Sequence, residues 1–528
     1  MSTASGAPLL RNGGFPTRCP SLPVAEVLFR FRRVVLTRVL ICAIPVAGLL
    51  AAGNAEWGGK LFWVLFALVV GPLFVSGTPD ELLCVLLSLA PFMNLLRGFA
   101  LYNIVDLVFL AGLVSYYKRS PGRILALRPQ FPLVVCLAGF VCAYYAFSLV
   151  FTHDYSANLR FFELLFSTVC VLIVGRSAAR TGTILTGILI CSGAIGLAML
   201  PHLQSSGRLG EVVIGDIGLG NPVQLGLPLA LAVLALTVDQ GRWIRLRRRW
   251  ARLLAILVTF SLLALTTSRA SWLVVAVGAL VILLFGRRQR LRTLVSVAGG
   301  ALLIQLILMS RSGEGLQKGI DRTFSRERSV ASVTSGRSDQ WIVAYDAWSD
   351  SLGSLLFGHG PGLGPQTYAR FSMEVPGVQY AVGEEAALHS LYMQVAVETG
   401  LLGLTPLLIG VLVALLKIVQ WTLRHRLLLP LTCFIGYVLI AMTVSGNDTV
   451  SGVFLGIGLL VTLRPTPERG WHRTRELDSL RASAGFQPMV LSAAPDLEEK
   501  KQGPVNLPLS ALEWSSTSGP RGRRPELP

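Results

Sequence analysis

The 528-residue chain is 52% hydrophobic and only 14% charged, with a mean hydropathy of +0.61 and a formal net charge of +18. Globular domains carry about a quarter charged residues, so an ordinary soluble fold is excluded and lipid is the expected solvent. The positive charge does not imply nucleic acid, because the arginines sit in short loops between apolar runs, as in "GRWIRLRRRWAR" (241–252), "GRRQRLR" (286–292) and "TLRHR" (422–426), and form no single soluble face.

In chain order, residues 1–33 are polar and basic and read as a cytoplasmic N-terminal segment leading into a first span, with a cleavable signal peptide the less favoured reading. Apolar runs follow near 34–52, 61–77, 80–93, 99–116, 131–151, 161–175, 182–200, 223–238, 251–267, 271–286 and 293–309. After a long polar gap come 390–418, 427–444 and 449–463. These are about fourteen candidate spans of a bilayer roughly 30 Å thick, or twelve if the short runs near 80 and 449 do not cross. Backbone groups in hydrocarbon must satisfy one another, so the expected fold is an all-α polytopic transmembrane bundle. The alternating pattern of a membrane β-barrel is absent.

The basic loops at 117–130, 176–180, 239–252, 286–292 and 419–426 fall on one side together with both termini, which positive-inside logic makes cytoplasmic. The opposite, external side receives 152–160, 201–222, a tight turn at 268–271 and 310–388. The expected domains are the bundle's first part (34–309), a large external loop with short helices (310–388), the bundle's last part (389–463) and a disordered cytoplasmic tail (464–528). A structureless loop as long as 310–388 is uncommon. This one carries helical spacing in "SDQWIVAYDAWSDSL" (338–352) and a glycine-rich turn, "GHGPGLG" (358–364).

Arginine should be scarce on the external side, so those present carry information: Arg160, Arg208, Arg269 and Arg337. Arg269 lies in the tight turn and must sit at or just below the membrane surface, where charges commonly mark a substrate path. Guanidinium is the preferred partner of phosphate; the bland alternative is snorkelling to the interface. Of the six histidines, His389 stands out, because "GEEAALHSLYMQVAVETGLLGL" (383–404) reads as a helix beginning at Glu384–Glu385. That start puts His389 one turn inside, on a face shared with Met393, Ala396 and Gly400, whose small residues would admit another helix. His359 reads as a turn residue between glycines or as a substrate contact. Asn221-Pro222 reads as a helix start or as a contact.

No P-loop, DxD, HExxH or GxSxG motif occurs. Seven of the eight cysteines lie in apolar runs and read as packing residues, so neither a metal nor a cofactor is expected. Such an external site needs a substrate that is already activated. A pyrophosphate-linked lipid qualifies, with arginines neutralising the leaving group and a histidine taking the acceptor's proton.

The segment "SGRSDQWIVAYDAWSDSLGSLLFGHGPG…ALHSLYMQVAVETGLLGL" resembles the signature region of the O-antigen ligase and Wzy-type polymerase superfamily. In that family an arginine and a tryptophan open the large loop (here Arg337 and Trp341), a GxG turn follows a short helix, and a histidine leads into the next span. The pattern of His, then Asn/Ser/Gln, nine residues, Gly, two residues and a small residue is met by His389-Ser390 and Gly400-Leu401-Leu402-Gly403. "LALTTSRASWLVV" is similar to the family's Ser-Arg turn, and "GLGNP" to its Asn-Pro element. The motifs cover roughly 200–420.

The resemblance implies a GT-C-like glycosyltransferase of the bacterial inner membrane, working on its external face. It would move a glycan from undecaprenyl diphosphate to a lipid or glycan acceptor. His389, Arg337 and Arg269 would form the catalytic set, with Arg208, Arg160, Asn221, Trp341 and His359 as substrate contacts. Membrane lipid surrounds such a protein, and it could recruit other polysaccharide-assembly proteins. Polymerisation of lipid-linked repeat units remains the enzymatic alternative. Protein O-glycosylation, a transporter or flippase, and an assembly scaffold stand behind it; the inverted symmetry common in transporters is not seen.

Overall fold

A computed structural model describes residues 21–95, 102–121, 127–129, 156–175, 178–203, 213–214, 217–218, 222–238, 249–286, 289–309, 337–374, 388–425, 427–443 and 449–465, with the single positions 139, 209 and 244. The protein is all-α and polytopic. Its helices are α1 (Ser21–Ala51), α2 (Ala55–Val75), α3 (Pro79–Leu95), α4 (Tyr102–Arg119), α5 (Ser156–Val174), α6 (Ala178–Met199), α7 (Pro222–Val238), α8 (Arg249–Thr266), α9 (Arg269–Phe285), α10 (Arg290–Leu308), α11 (Arg337–Ser349), α12 (Leu352–Phe357), α13 (Gly364–Ser372), α14 (Leu391–His425), α15 (Leu429–Thr443) and α16 (Thr449–Leu459). The expected span 131–151 lies outside the described residues.

Among the described residues two short ladders interrupt the helical pattern. Strand β1 (Leu127–Pro129) pairs antiparallel with β4 (Leu463–Pro465), and β2 (Val213–Ile214) with β3 (Ile217–Gly218).

Among the described residues, four helical stretches are long and apolar enough to cross a membrane: Leu28–Ala51, Ala55–Val75, Arg180–His202 and Leu391–His425. Seven shorter apolar helices accompany them. Helix α7 is buried along its length except at Gln224, and α3 is buried continuously from Asp80 to Met93, so these two form the centre. A helix apolar all round belongs inside such a bundle. Around them α1, α2, α10 and α14 expose leucines, isoleucines and valines, among them Ile44, Leu68, Leu302 and Leu412. A continuous apolar exterior of this kind suits lipid and not water.

Small residues set the helix seams. Gly452 of α16 meets Leu164 and Ser167 of α5, Gly456 meets Thr168 and Val171, and Gly175 at the end of α5 meets Leu460. The two helices therefore run parallel. The G-x-x-x-G spacing lets their backbones close up, and the Thr168 hydroxyl donates to the Gly452 carbonyl across the seam at 3.2 Å. Helix α7 admits α9 in the same way, through Gly226 against Ser268 and Ser271 and through Leu234 against Gly278.

At one end of the bundle α1, α3 and α6 share a charged network. Arg180 pairs with Asp80 at 2.7 Å, both side chains nearly buried, and Arg38 lies 3.7 Å from Glu81. The Arg180 guanidinium also sits over Phe31. We call this the basic end; the other, where α8 turns into α9, is the site end.

At the site end α11 and α13 pack a second small core, Val343, Ala344, Ala347, Tyr368 and Phe371, against Leu388 and Val397 at the head of α14. Helix α14 is broken at Gly400 (φ 61°, ψ −158°). The break releases two carbonyls from helical bonding, and the turn after α12 takes them up. His359 N–H donates to Val397 O at 2.8 Å and Gly360 N–H to Glu398 O at 3.0 Å. Gly358 (φ 73°) sits so close that a Cβ would strike the Glu398–Thr399 backbone, and a Cβ on Gly400 would strike the Leu356 carbonyl.

Two stability predictions follow from these contacts. Gly400→Ala is expected to lose at least about 1–2 kcal/mol from the left-handed backbone alone, seen as a lower unfolding temperature of the detergent-solubilised protein. Gly353→Ala, in α12 with only Ser351 Oγ at 3.7 Å, is the control that should lose nothing. Asp80→Ala should cost about 3–5 kcal/mol by stranding Arg180. An Asp80→Asn/Arg180→Gln double variant should melt above the single one; equal melting would show the pair to be uncoupled.

Candidate functional site

The site end brings together the heads of three helices. The first is the turn between α8 and α9, where the sequence reads Thr266-Thr267-Ser268-Arg269. Thr267 adopts φ 47°, an unusual conformation for a β-branched residue. Ser268 is the N-cap of α9: its hydroxyl accepts from Ser271 N–H at 3.4 Å and contacts Ser271 Oγ at 2.9 Å. Its own N–H donates to Thr266 Oγ1 at 3.3 Å, and Trp272 Nε1 reaches back to Leu263 O at 3.3 Å. This turn leaves Arg269 half-buried as the first residue of α9.

The second head is α11, whose first residue is Arg337, also half-buried. Desolvation pushes the Arg337 pKa down, and the positive charge of Arg269 lowers it further. Each guanidinium also sits at the positive end of a helix dipole, the opposite of the usual placement for a cation. Asp339 occupies the first turn of α11, with Ser338 Oγ donating to its carboxylate at 3.3 Å. Its charge, after burial, raises the Tyr368 phenol.

The third head is α14, and here the structure departs from the sequence reading. The helix begins at Leu391, so His389 lies just before it and not one turn inside. Ser390 explains the difference: its hydroxyl accepts from Met393 N–H at 3.4 Å and its carbonyl from Gln394 N–H at 2.9 Å, the bonds of an N-cap. His389 takes φ 42°, a left-handed conformation that histidine tolerates better than most residues. Its neighbour Leu388 is buried against the α11 core. The expected close approach of another helix is seen at Gly400, which meets the end of α12 at Leu356–Phe357, while Gly403 makes room for the Thr399 side chain of its own helix.

The remaining expected residues fall in different places. His359 is a strut: its Nε2 contacts Ala347 O at 2.6 Å and its ring stacks obliquely on Phe371 at 5.6 Å. Trp341 lies one turn into α11 with its Nε1 buried and without a partner. Arg160 lies in α5, its side chain outside the described residues, and Arg208 and Asn221 fall outside them altogether. Among the described residues no group of three or more His, Cys, Asp or Glu could hold a metal ion. The five described cysteines, Cys42, Cys84, Cys170, Cys191 and Cys433, are free and buried.

Glu398 was not singled out from the sequence. It is fully buried in α14, and its Oε1 accepts from Gly364 N–H at 3.3 Å and Gln394 Nε2 at 3.0 Å. A carboxylate at the head of α13 is favourably placed for that helix's dipole. The available signal was an acidic residue inside an apolar run, "VAVETGLLGL".

Three helix heads carry two mutually repelling guanidiniums and a strained histidine, a positive end with the chemistry to attract an anion. No curated protein matches the chain. Residues 253–408, from α8 into α14 and so containing Arg269, Arg337 and His389, match the family model described as O-antigen ligase (Wzy_C); the matched segment is less than a third of the chain.

Proposed function

We propose that the protein transfers a glycan from undecaprenyl diphosphate to an acceptor hydroxyl on the external face of the bacterial inner membrane. The observation that carries the reading is Arg337, desolvated at the head of one helix and repelled by Arg269 at the head of another. Holding two cations together on positive helix ends costs stability unless an anion offsets it. A diphosphate brings the charge and the oxygen geometry that guanidinium recognises.

In this reading the acceptor oxygen attacks the anomeric carbon and the bond from that carbon to the diphosphate oxygen breaks. The electron pair leaves with the diphosphate, where Arg269 and Arg337 stabilise the charge as it develops. The acceptor's proton passes to His389. His359 contributes by holding the turn that fixes α11 to α14. Trp341, Arg160, Arg208 and Asn221 are the further substrate contacts. The 310–388 module lies outside the membrane, between the two parts of the bundle (34–309 and 389–463). Segments 1–33 and 464–528 lie on the cytoplasmic side, as the positive-inside pattern requires.

Arg337→Gln tests this in purified, reconstituted protein. Transfer should fall by at least about 100-fold, while the unfolding temperature stays level or rises because a desolvated, repelled cation is gone. Inorganic pyrophosphate should raise the wild-type unfolding temperature and leave the variant's unchanged. Undiminished transfer by the variant would sink the proposal. Long chains formed from the lipid-linked donor alone would make the acceptor a second lipid-linked glycan and the enzyme a polymerase.

A further inference from the structure

Helix α12 is built inside out for a segment in water. Its outward stripe is Leu352, Gly353, Leu356 and Phe357, all exposed, with Leu352 72% and Phe357 60% accessible. Successive residues of an α-helix turn through about 100°, so these four share one side. The inward side carries Ser354, which is buried, and Leu355, whose carbonyl accepts from Trp348 Nε1 at 3.1 Å. A helix of a water-soluble module turns its apolar residues to the core. This one turns its largest apolar side chains away from it.

The place where α12 meets α14 indicates what covers the stripe. A Cβ on Gly400 would strike the Leu356 carbonyl and the Phe357 nitrogen, so the end of α12 abuts the break. On one side of the break α14 carries Gln394 and Glu398; on the other Leu401, Leu402, Leu408 and Leu412 are exposed. The far end of the helix holds Trp421, stacked on His425 at 4.6 Å, and an exposed Arg424. Tryptophan and arginine are typical of a membrane boundary. The hydrocarbon core takes about 20 helical residues, and that count back from Trp421 reaches Leu401–Leu402. The other boundary therefore falls at the break, and the end of α12 lies level with it. Leu356 and Phe357 extend the exposed belt of α14 at its rim. That continuity with a belt already suited to lipid points to lipid as the cover and not to a second protein.

We propose that α12 is an interfacial anchor, lying along the bilayer surface at the site end with Leu352, Leu356 and Phe357 sunk between the headgroups and the first acyl carbons. Six residues are far too few to span, and the exposed Asp350 just before them suits the headgroup layer and not hydrocarbon. The inference goes beyond glycan transfer and needs only that α14 crosses the membrane. The bonds from Trp348 to Leu355 O and from His359 to Ala347 O fasten α12 and its following turn to α11. The anchor thus sets the height of α11 over the lipid, and in the proposed function that height keeps Arg337 level with a lipid-linked diphosphate.

The test is photo-cross-linking of the full chain with p-benzoylphenylalanine placed singly at Leu352 or Phe357, in vesicles of phosphatidylethanolamine and phosphatidylglycerol. Leu408 on the α14 belt is the positive control, and Glu499 in the polar C-terminal stretch the negative one. Both α12 positions should form phospholipid adducts as Leu408 does, with none at Glu499. The same adducts should dominate in native membranes. Absence of lipid adducts at both α12 positions while Leu408 labels would overturn the anchor. So would adducts to another protein in their place in native membranes, which would make the stripe a protein-docking face. No glycan donor is present, so the result is separate from that of Arg337→Gln: loss of the phosphate assignment would leave the anchor standing, and loss of the anchor would leave the phosphate assignment standing.

Discussion

The break in α14 at Gly400 is the constraint from which the site end is built. Inside a bilayer a helix has no water to receive a carbonyl that its own turn has let go. At Val397 and Glu398 the amides of His359 and Gly360 take that place. This fixes the glycine turn against the helix, and the turn in turn fixes α11, because the His359 ring is fastened to Ala347 O. Glu398 adds a second tether through Gly364 at the head of α13. An irregularity in one membrane helix is thus linked, bond by bond, to the module whose first residue is Arg337.

The two ends of the bundle treat buried arginine in opposite ways. At the basic end Arg180 lies 2.7 Å from Asp80, and the ion pair ties α6 to α3. At the site end Arg337 is desolvated and meets the field of another arginine. The first arrangement is complete within the protein. The second disfavours the charged form of Arg337, and the diphosphate of the proposed function would offset that cost. That contrast, more than the number of arginines, separates a structural use of guanidinium from a functional one.

Hydropathy made the helices legible, since few residue choices satisfy lipid. The tight turn holding Arg269 was read correctly for the same reason, with α8 ending at Thr266 and α9 beginning at Arg269. Tertiary detail was less accessible. The acidic pair Glu384–Glu385 suggested an early helix start, but the cap at Ser390 set the start at Leu391. The spacing from His389 to Gly400 was visible, while the partner at Gly400, the end of α12 about forty residues earlier, was not. Glu398 was invisible as a tether because its partner, Gly364, is distant in sequence. The parallel seam of α5 and α16 joins segments nearly three hundred residues apart, and no local pattern could pair them.

Strain completes the account. Among the described residues, Thr267 and His389 are the non-glycine residues with positive φ. One lies two positions from Arg269; the other is the candidate base. Such conformations each cost on the order of 1–3 kcal/mol and persist only where the surroundings over-determine them. Here the surroundings are the Ser268 cap with Gly226 beneath it on one side, and the Ser390 cap with Leu388 buried in the small core of α11 and α13 on the other. Among the described residues, the strained non-glycine backbone and the repelling arginines fall at one end, while the glycine seams and the buried α3 and α7 hold the rest of the bundle. A protein under selection for stability alone would relax the first group. Their occurrence at one set of helix heads is what the proposed function would require, with the substrate supplying the offsetting interactions.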